Sequence, residues 1–146
     1  NRSYYEDVLV VRVMNLAPKE QWSRRYEYIR GFEALLADNN TRVVKFFLHI
    51  SKEEQERRLQ ERIDDADKNW KFDPRDLEAR RHWNEYQQAY ADALMKTSTA
   101  EAPWWIIPSD RKWYRDLAVA QVLADILEEM NPQYPVVKLD RKDLIL

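Results

Sequence analysis

Arg42–Gln55, RVVKFFLHISKEEQ, decides the fold. Its first part is a near-continuous apolar run of Val43, Val44, Phe46, Phe47, Leu48 and Ile50, which predicts a strand over Arg42–Ile50 covered on both faces. Ser51 then opens a helix, with Glu54 three residues on in the capping-box pattern. A covered strand running straight into a capped helix is the repeating unit of parallel α/β domains.

Toward the N-terminus, Trp22, Tyr26, Ile29, Phe32 and Leu36 form one apolar stripe, a helix that follows the turn Asn15–Pro18 and runs to about residue 37. Asp38-Asn39-Asn40 closes it. Tyr5, Leu9 and Val13 recur every four residues, so Ser3–Val13 reads as helix as well. Toward the C-terminus, the helix from Ser51 ends near Asp64-Asp65. Asp73 and Pro74 start another that continues to about Lys96. Thr97–Pro103 is a loop, and Trp104-Trp105-Ile106-Ile107 is a second short strand. A last helix, capped by Ser109 or Asp110, carries Leu117, Ala120, Leu123, Ala124 and Leu127 as its core stripe. The Pro-bearing tail after Asn131 reads as irregular. The order helix, strand, helical insert, strand, helix predicts the second half of a parallel α/β domain.

Composition narrows the function. The 146 residues, 45% hydrophobic, suffice for one domain with a core. Basic and acidic residues number 24 and 26, a net charge of −2, which argues against nucleic-acid binding through bulk charge and makes any anion site local. The absence of cysteine excludes disulfides and thiolate metal sites, and His49 and His82 cannot build a zinc site alone. No apolar run approaches the roughly 20 residues that cross a bilayer, and the expectation is a soluble, cytoplasmic protein. Gly31 is the single glycine, so no glycine-rich loop wraps phosphates in these residues.

Cations concentrate after the first strand, at Arg57, Arg58, Arg62, Lys68 and Lys71, and Arg58 and Arg62 share a helix face. Guanidinium groups bind phosphate oxygens and stabilise charge on a transferring phosphoryl group. Glu53, Glu54, Glu56 and Glu61 are interleaved, so a solvated helix with ordinary ion pairs is the competing reading. Asn1-Arg2-Ser3 precedes Glu6 and Asp7, a carboxylate pair suited to a metal-bound phosphate chain, a base or a ribose; helix N-terminal acids are the plainer alternative. Arg111 and Lys112, beside Trp113, lie where a strand gives way to a helix, the usual ligand position in parallel α/β proteins. Trp104, Trp105 and Trp113 read as core more readily than as stacking platforms. Neither histidine has a serine or cysteine partner, so no nucleophilic or acid/base role is assigned.

Several of these motifs together resemble the polyphosphate kinase 2 family, P-loop enzymes that move phosphate between inorganic polyphosphate and nucleotides. The resemblance rests on Asn1–Arg12, Lys45–Gln55, Arg62–Asp65 with Lys68, Trp70 and Lys71, Thr97–Pro108, and Asp110–Trp113. It implies a thymidylate-kinase-like, three-layer parallel sheet whose helical lid, about residues 52–96, closes over a phosphate channel. The domain spans residues 1–131, with 132–146 as tail. By the same resemblance Arg62 is the lid arginine at the transferring phosphoryl group and Arg2 the arginine after the Walker B position. Lys68 and Lys71 border the polyphosphate path, and Asn1, Glu6, Asp7, Arg58, Arg111 and Lys112 join them as substrate-binding residues. Asn1 replaces the Asp common in the family, and with Glu6-Asp7 it is similar to the subgroup accepting AMP as well as ADP. Asn69 stands where an Arg often precedes the Trp.

The expected activity is phosphate transfer between polyphosphate and AMP or ADP, with Mg²⁺ as cofactor, no protein metal ligands assigned, and a homo-oligomeric assembly. The family's Walker A loop would lie upstream of Asn1, so the chain alone is expected to be inactive. Two other readings stay open: a non-catalytic polyanion-binding or interaction module, and an ATP-dependent nucleoside monophosphate kinase.

Overall fold

The computed structural model describes residues 3–136, so Asn1, Arg2 and positions 137–146 lie outside the described residues. The expected strands form, the first shorter than its apolar run: β1 is Lys45–His49 and β2 is Trp104–Pro108. They pair in parallel as a two-stranded sheet, from Lys45 opposite Trp104 to His49 opposite Pro108. Before β1 come a 3-10 turn at Tyr4–Val8, α1 (Val10–Val13), α2 (Lys19–Trp22) and α3 (Arg25–Asp38). Between the strands lie α4 (Lys52–Asp64), a 3-10 turn at Asn69–Lys71, α5 (Pro74–Arg81) and α6 (Trp83–Thr97). After β2 runs α7 (Lys112–Met130).

Local signals account for most of these boundaries. Ser51 Oγ accepts from the Glu54 amide at 3.1 Å, and Asp73 accepts from the Arg75 amide at 2.9 Å with Pro74 at the first helical position. Asn15, Asn40 and Asn131 take left-handed backbone (φ 52, 58 and 41) where α1, α3 and α7 end. Asparagine tolerates that region better than most residues, and the chain's single glycine lies inside α3 instead. The helix expected from Asp73 to Lys96 is divided at His82, and the stripe beginning at Trp22 is interrupted before Arg25.

One side of the sheet carries the core. Tyr5, Val8, Tyr26, Ile29 and Ala93 are buried together, backed by Leu9, Trp22 and Trp104, so the 3-10 turn, α3 and α6 close on that face. Phe47 extends it toward α6, its ring 4.8 Å from Tyr90.

Three expectations are corrected. Phe32 is exposed and Glu33 takes the buried place on α3, because an ion pair awaits it there. In α7 the inward side is Ala118, Val119, Val122 and Ile126, while Leu117, Leu123 and Leu127 face outward, so a helix apolar on two sides was assigned the wrong one. Coverage of both sheet faces is incomplete, with Leu48 and Ile106 exposed.

That ion pair sits at the N-terminal end of β1. Lys45 Nζ donates to Glu33 Oε2 (2.7 Å), the Thr97 carbonyl (2.8 Å) and the Tyr5 hydroxyl (3.1 Å), and both charged side chains are about 95% or more buried. Tyr4 donates to Glu33 Oε1 at 2.8 Å, the Tyr5 hydroxyl stands 2.9 Å from the same oxygen, and Trp104 Nε1 donates to Thr97 Oγ1 at 2.9 Å. Burial pushes the Lys45 ammonium below its ordinary value, and Glu33 opposes that shift. The pair is tolerable inside because each hydrogen-bonding position meets a partner. No helix among the described residues is long and apolar enough to cross a membrane.

Candidate active site

Parallel strands end together, and here the ends of β1 and β2 are tied through the residues that lead into the helices following them. The Ser109 amide donates to the His49 carbonyl (2.7 Å), and Asp110 Oδ1 accepts from the Ser51 amide (2.7 Å). Asp110 therefore braces the start of α4 rather than capping α7. The N-cap of α7 is Arg111, which makes no side-chain capping bond, and Ser109 donates to the Ile107 carbonyl. Beside this junction lies a cavity of about 350 Å³ bordered by His49, Ser51, Asp110, Arg111, Trp113 and Tyr114. Trp113 is 63% exposed, so its expected place in the core is wrong, and its ring meets Tyr114 edge-on with centroids 5.8 Å apart.

The basic residues of α4 divide by partner. Arg57 grips Glu54 with two bonds of 2.7 Å, and Arg58 Nε donates to the same carboxylate at 2.7 Å. The two guanidinium groups, Arg57 first, hold Glu54 down to about 2. Arg58 also donates through Nη2 to the carbonyls of Ser109 (2.7 Å) and Asp110 (3.3 Å), so it fastens α4 to the end of β2. Lys68 is bound by Glu61 (2.7 Å) and Asp65 (2.8 Å). The ordinary ion-pair reading thus describes Arg57 and Lys68.

Arg62 is different. Its single carboxylate contact is a 3.3 Å approach to Asp76, with both side chains about 40% exposed. Together with Arg58, Gln55 and Ile50 it borders a cavity of about 300 Å³. Among the described residues no carboxylate lies within 4 Å of Lys71, Arg111 or Lys112; Lys71 rests over the Trp70 ring at 5.0 Å. A guanidinium held by one loose contact can exchange it for a phosphate oxygen at small cost.

The structure separates the two acids placed together by sequence. Glu6 faces a groove shared with α5 and α6, whereas Asp7 turns away to Arg25 at 3.3 Å. Asn1 and Arg2, as site residues, fall outside the described residues. Asn69 closes the end of α4: with its NH₂ turned toward that helix it donates to the carbonyls of Ile63 (2.8 Å) and Asp65 (2.9 Å). Arg80 was not singled out from sequence, yet it donates to the Lys52 carbonyl (2.7 Å) and Gln55 Oε1 (2.9 Å), joining α5 to the start of α4. Its signal was indistinguishable from the neighbouring exposed arginines. Among the described residues no three His, Cys, Asp or Glu side chains converge to hold a metal.

A parallel α/β unit with a guanidinium-bearing helical insert beside its strand ends is the class that fold and site define. The sequence profile of the polyphosphate kinase 2 family matches residues 1–135, and the chain belongs to that family. It is 56% identical over 135 residues to the AMP/ADP-polyphosphate phosphotransferase of Meiothermus ruber, covering 92% of this chain and 51% of that protein. It is 44% identical over 158 residues to the ADP-polyphosphate phosphotransferase of Rhodopseudomonas palustris, covering 99% and 55%. The crystal structure of polyphosphate kinase 2 from Arthrobacter aurescens TC1 superposes with a TM-score of 0.90 at 44% identity, over 95% of this chain and 49% of that one. The chain thus spans about half the length of these relatives.

Proposed function

We propose that this chain is the lid-bearing part of a polyphosphate-dependent nucleotide kinase, which transfers phosphate between inorganic polyphosphate and AMP or ADP. The observation that carries this is Arg62, a half-exposed guanidinium on α4 with one loose partner, on the insert that leaves the end of β1. Family membership and the names of the Meiothermus and Rhodopseudomonas relatives support the substrate pair.

Phosphoryl transfer asks for in-line positioning and neutralised charge more than for proton chemistry. In this reading α4 and α5, with the turn between them, form the lid while α6, packed in the core, anchors it, and Arg62 stabilises the charge on the phosphoryl group in flight. Arg2 assists it from the residues preceding the Tyr4–Val8 turn. Lys71, Arg111 and Lys112 carry the polyanion, with Lys68 bordering its path. Arg58 keeps α4 registered against the strand ends. Magnesium enters with the polyphosphate or nucleotide, whose phosphates supply most of its oxygen ligands.

We further propose that the chain alone does not turn over, because the matched relatives are about twice as long. A cytoplasmic setting and self-association belong to the same reading. Exposed Leu48, Ile106, Trp113 and Leu117 offer apolar surface for self-association. The test is a transfer assay with polyphosphate, magnesium and AMP or ADP, on this chain and on a polypeptide restored to the relatives' length. Transfer by the longer form alone is expected. Retained polyphosphate binding with no transfer by either would leave a polyanion-binding module, and transfer from ATP in preference to polyphosphate would leave a monophosphate kinase.

A further inference from the structure

The two oxygens of buried Glu33 have different partners. Oε2 takes the Lys45 ammonium at 2.7 Å, while Oε1 receives the Tyr4 hydroxyl at 2.8 Å and stands 2.9 Å from that of Tyr5. Those tyrosines open the five-residue 3-10 turn Tyr4–Val8, and Ser3 Oγ caps it by accepting from the Tyr5 amide at 3.2 Å. In the sequence Arg2 comes immediately before Ser3. One carboxylate on α3 is thus tied by two side chains to the backbone that directly follows the arginine assigned to the phosphoryl group.

Stability alone does not account for this arrangement. An apolar pair of similar volume often replaces a buried ion pair with no loss of stability. A short 3-10 turn has poorer hydrogen-bond geometry than an α-helix, so its orientation depends on what its side chains hold. Tyr5 is held twice over, since its ring lies edge-on to Trp104 at 4.8 Å and its hydroxyl also stands 2.9 Å from Thr97 Oγ1. Tyr4 is 41% exposed and packs edge-on against Phe32 at 5.5 Å, itself exposed. Among the described residues Glu33 is the hydrogen-bond partner of the Tyr4 hydroxyl. A leucine at position 33 would fill similar space and receive neither hydroxyl.

We propose that Glu33 is a positioning residue for phosphoryl transfer, with Lys45 as the counter-charge that holds it in place. Through the hydroxyls of Tyr4 and Tyr5 it sets the direction in which the chain enters the Tyr4–Val8 turn, and thereby how Arg2 is presented. The proposal rests on the kinase reading, which gives Arg2 its task. In-line transfer tolerates little displacement, and a misplacement of about 1 Å at a reacting group costs roughly a hundredfold in rate.

The test compares rate with stability in the length-restored polypeptide. Lys45→Met with Glu33→Leu removes the anchor and keeps the core filled, so the unfolding midpoint should stay near that of the parent. Its kcat should nevertheless fall by about a hundredfold, with the KM for polyphosphate changed less than about twofold, because a transition-state contact is lost and ground-state binding is not. If the double variant does not fold, Tyr4→Phe decides, since it deletes one half-exposed hydroxyl and leaves the ion pair intact. It should lower kcat by about tenfold at an unchanged midpoint. Unchanged kcat in either folded variant would overturn the proposal, as would a loss of rate that only follows the loss of folded protein, or a raised KM for polyphosphate at constant kcat. Absence of transfer by the unsubstituted polypeptide would sink the kinase reading and this role with it, whereas full transfer by the parent and both variants alike would sink the positioning role alone.

Discussion

The two ends of β1 use the same chemistry for opposite purposes. At the N-terminal end Lys45 and Glu33 lie inside the protein, each partner 5% exposed or less, and five segments converge on them. At the C-terminal end Arg57 and Arg62 of α4 are 59% and 39% exposed, so their ion pairs are screened and exchangeable. A charge that is buried and fully paired fixes structure. One that is half-exposed and loosely held remains available to a ligand.

The sharpest way to break this contrast is Arg62→Ala. In the length-restored polypeptide, transfer should fall by about a thousandfold or more, while the unfolding midpoint hardly moves, since the group is exposed. A large loss of stability with little loss of rate would reverse the assignment. Glu33→Gln tests the other end. It leaves the Lys45 ammonium buried without its counter-charge and should cost about 3–5 kcal/mol in denaturant melts of the chain. Replacing both partners, Lys45→Met with Glu33→Leu, should recover much of that, because the desolvation penalty goes with the pair.

Arg58→Ala lies between these extremes. Its guanidinium is only 19% exposed and bonds two carbonyls at the end of β2, so a loss of about 1–3 kcal/mol is expected in the same melts. Arg57→Ala should leave the unfolding midpoint almost where it was, since its guanidinium is 59% exposed and Glu54 keeps Arg58 as a partner. The smallest effect is one of pH. Glu54 lies near 2 in the folded chain against an ordinary 4.5, so its support for the first turn of α4 is complete above about 4.5 and is lost as pH falls toward 2. Circular dichroism should show slight helix loss across that window, weaker at high salt. An equally steep response at 1 M salt would mean that Glu54 acts through its direct hydrogen bonds to Arg57 and Arg58 rather than through screened charge.

Arg42–Gln55 made the strand-to-helix unit legible, and Asp73-Pro74 marked the start of α5, because caps and apolar periods act between residues a few positions apart. The same locality made Arg58 and Arg62 look alike. They share a face of α4, and only the return of the chain at Ser109 and Asp110 engages one and leaves the other loosely held. Glu6 and Asp7 were inseparable as neighbours, and the turn Tyr4–Val8 sent them to different surfaces. The inward side of α7 was misread because both its sides are apolar, so contact with β2 had to decide.

By itself, then, the sequence determined a parallel strand-and-helix unit, the helix starts, the family and the basic insert, all of which rest on local pattern or on motifs in order. The tertiary structure alone decided which charges are internal and which are free to act. Lys45 meets partners 12 and 52 positions away, and Tyr5 meets Thr97 across 92. Burial at that range is set by packing, and packing fixes whether a charged group holds the fold or can receive a ligand.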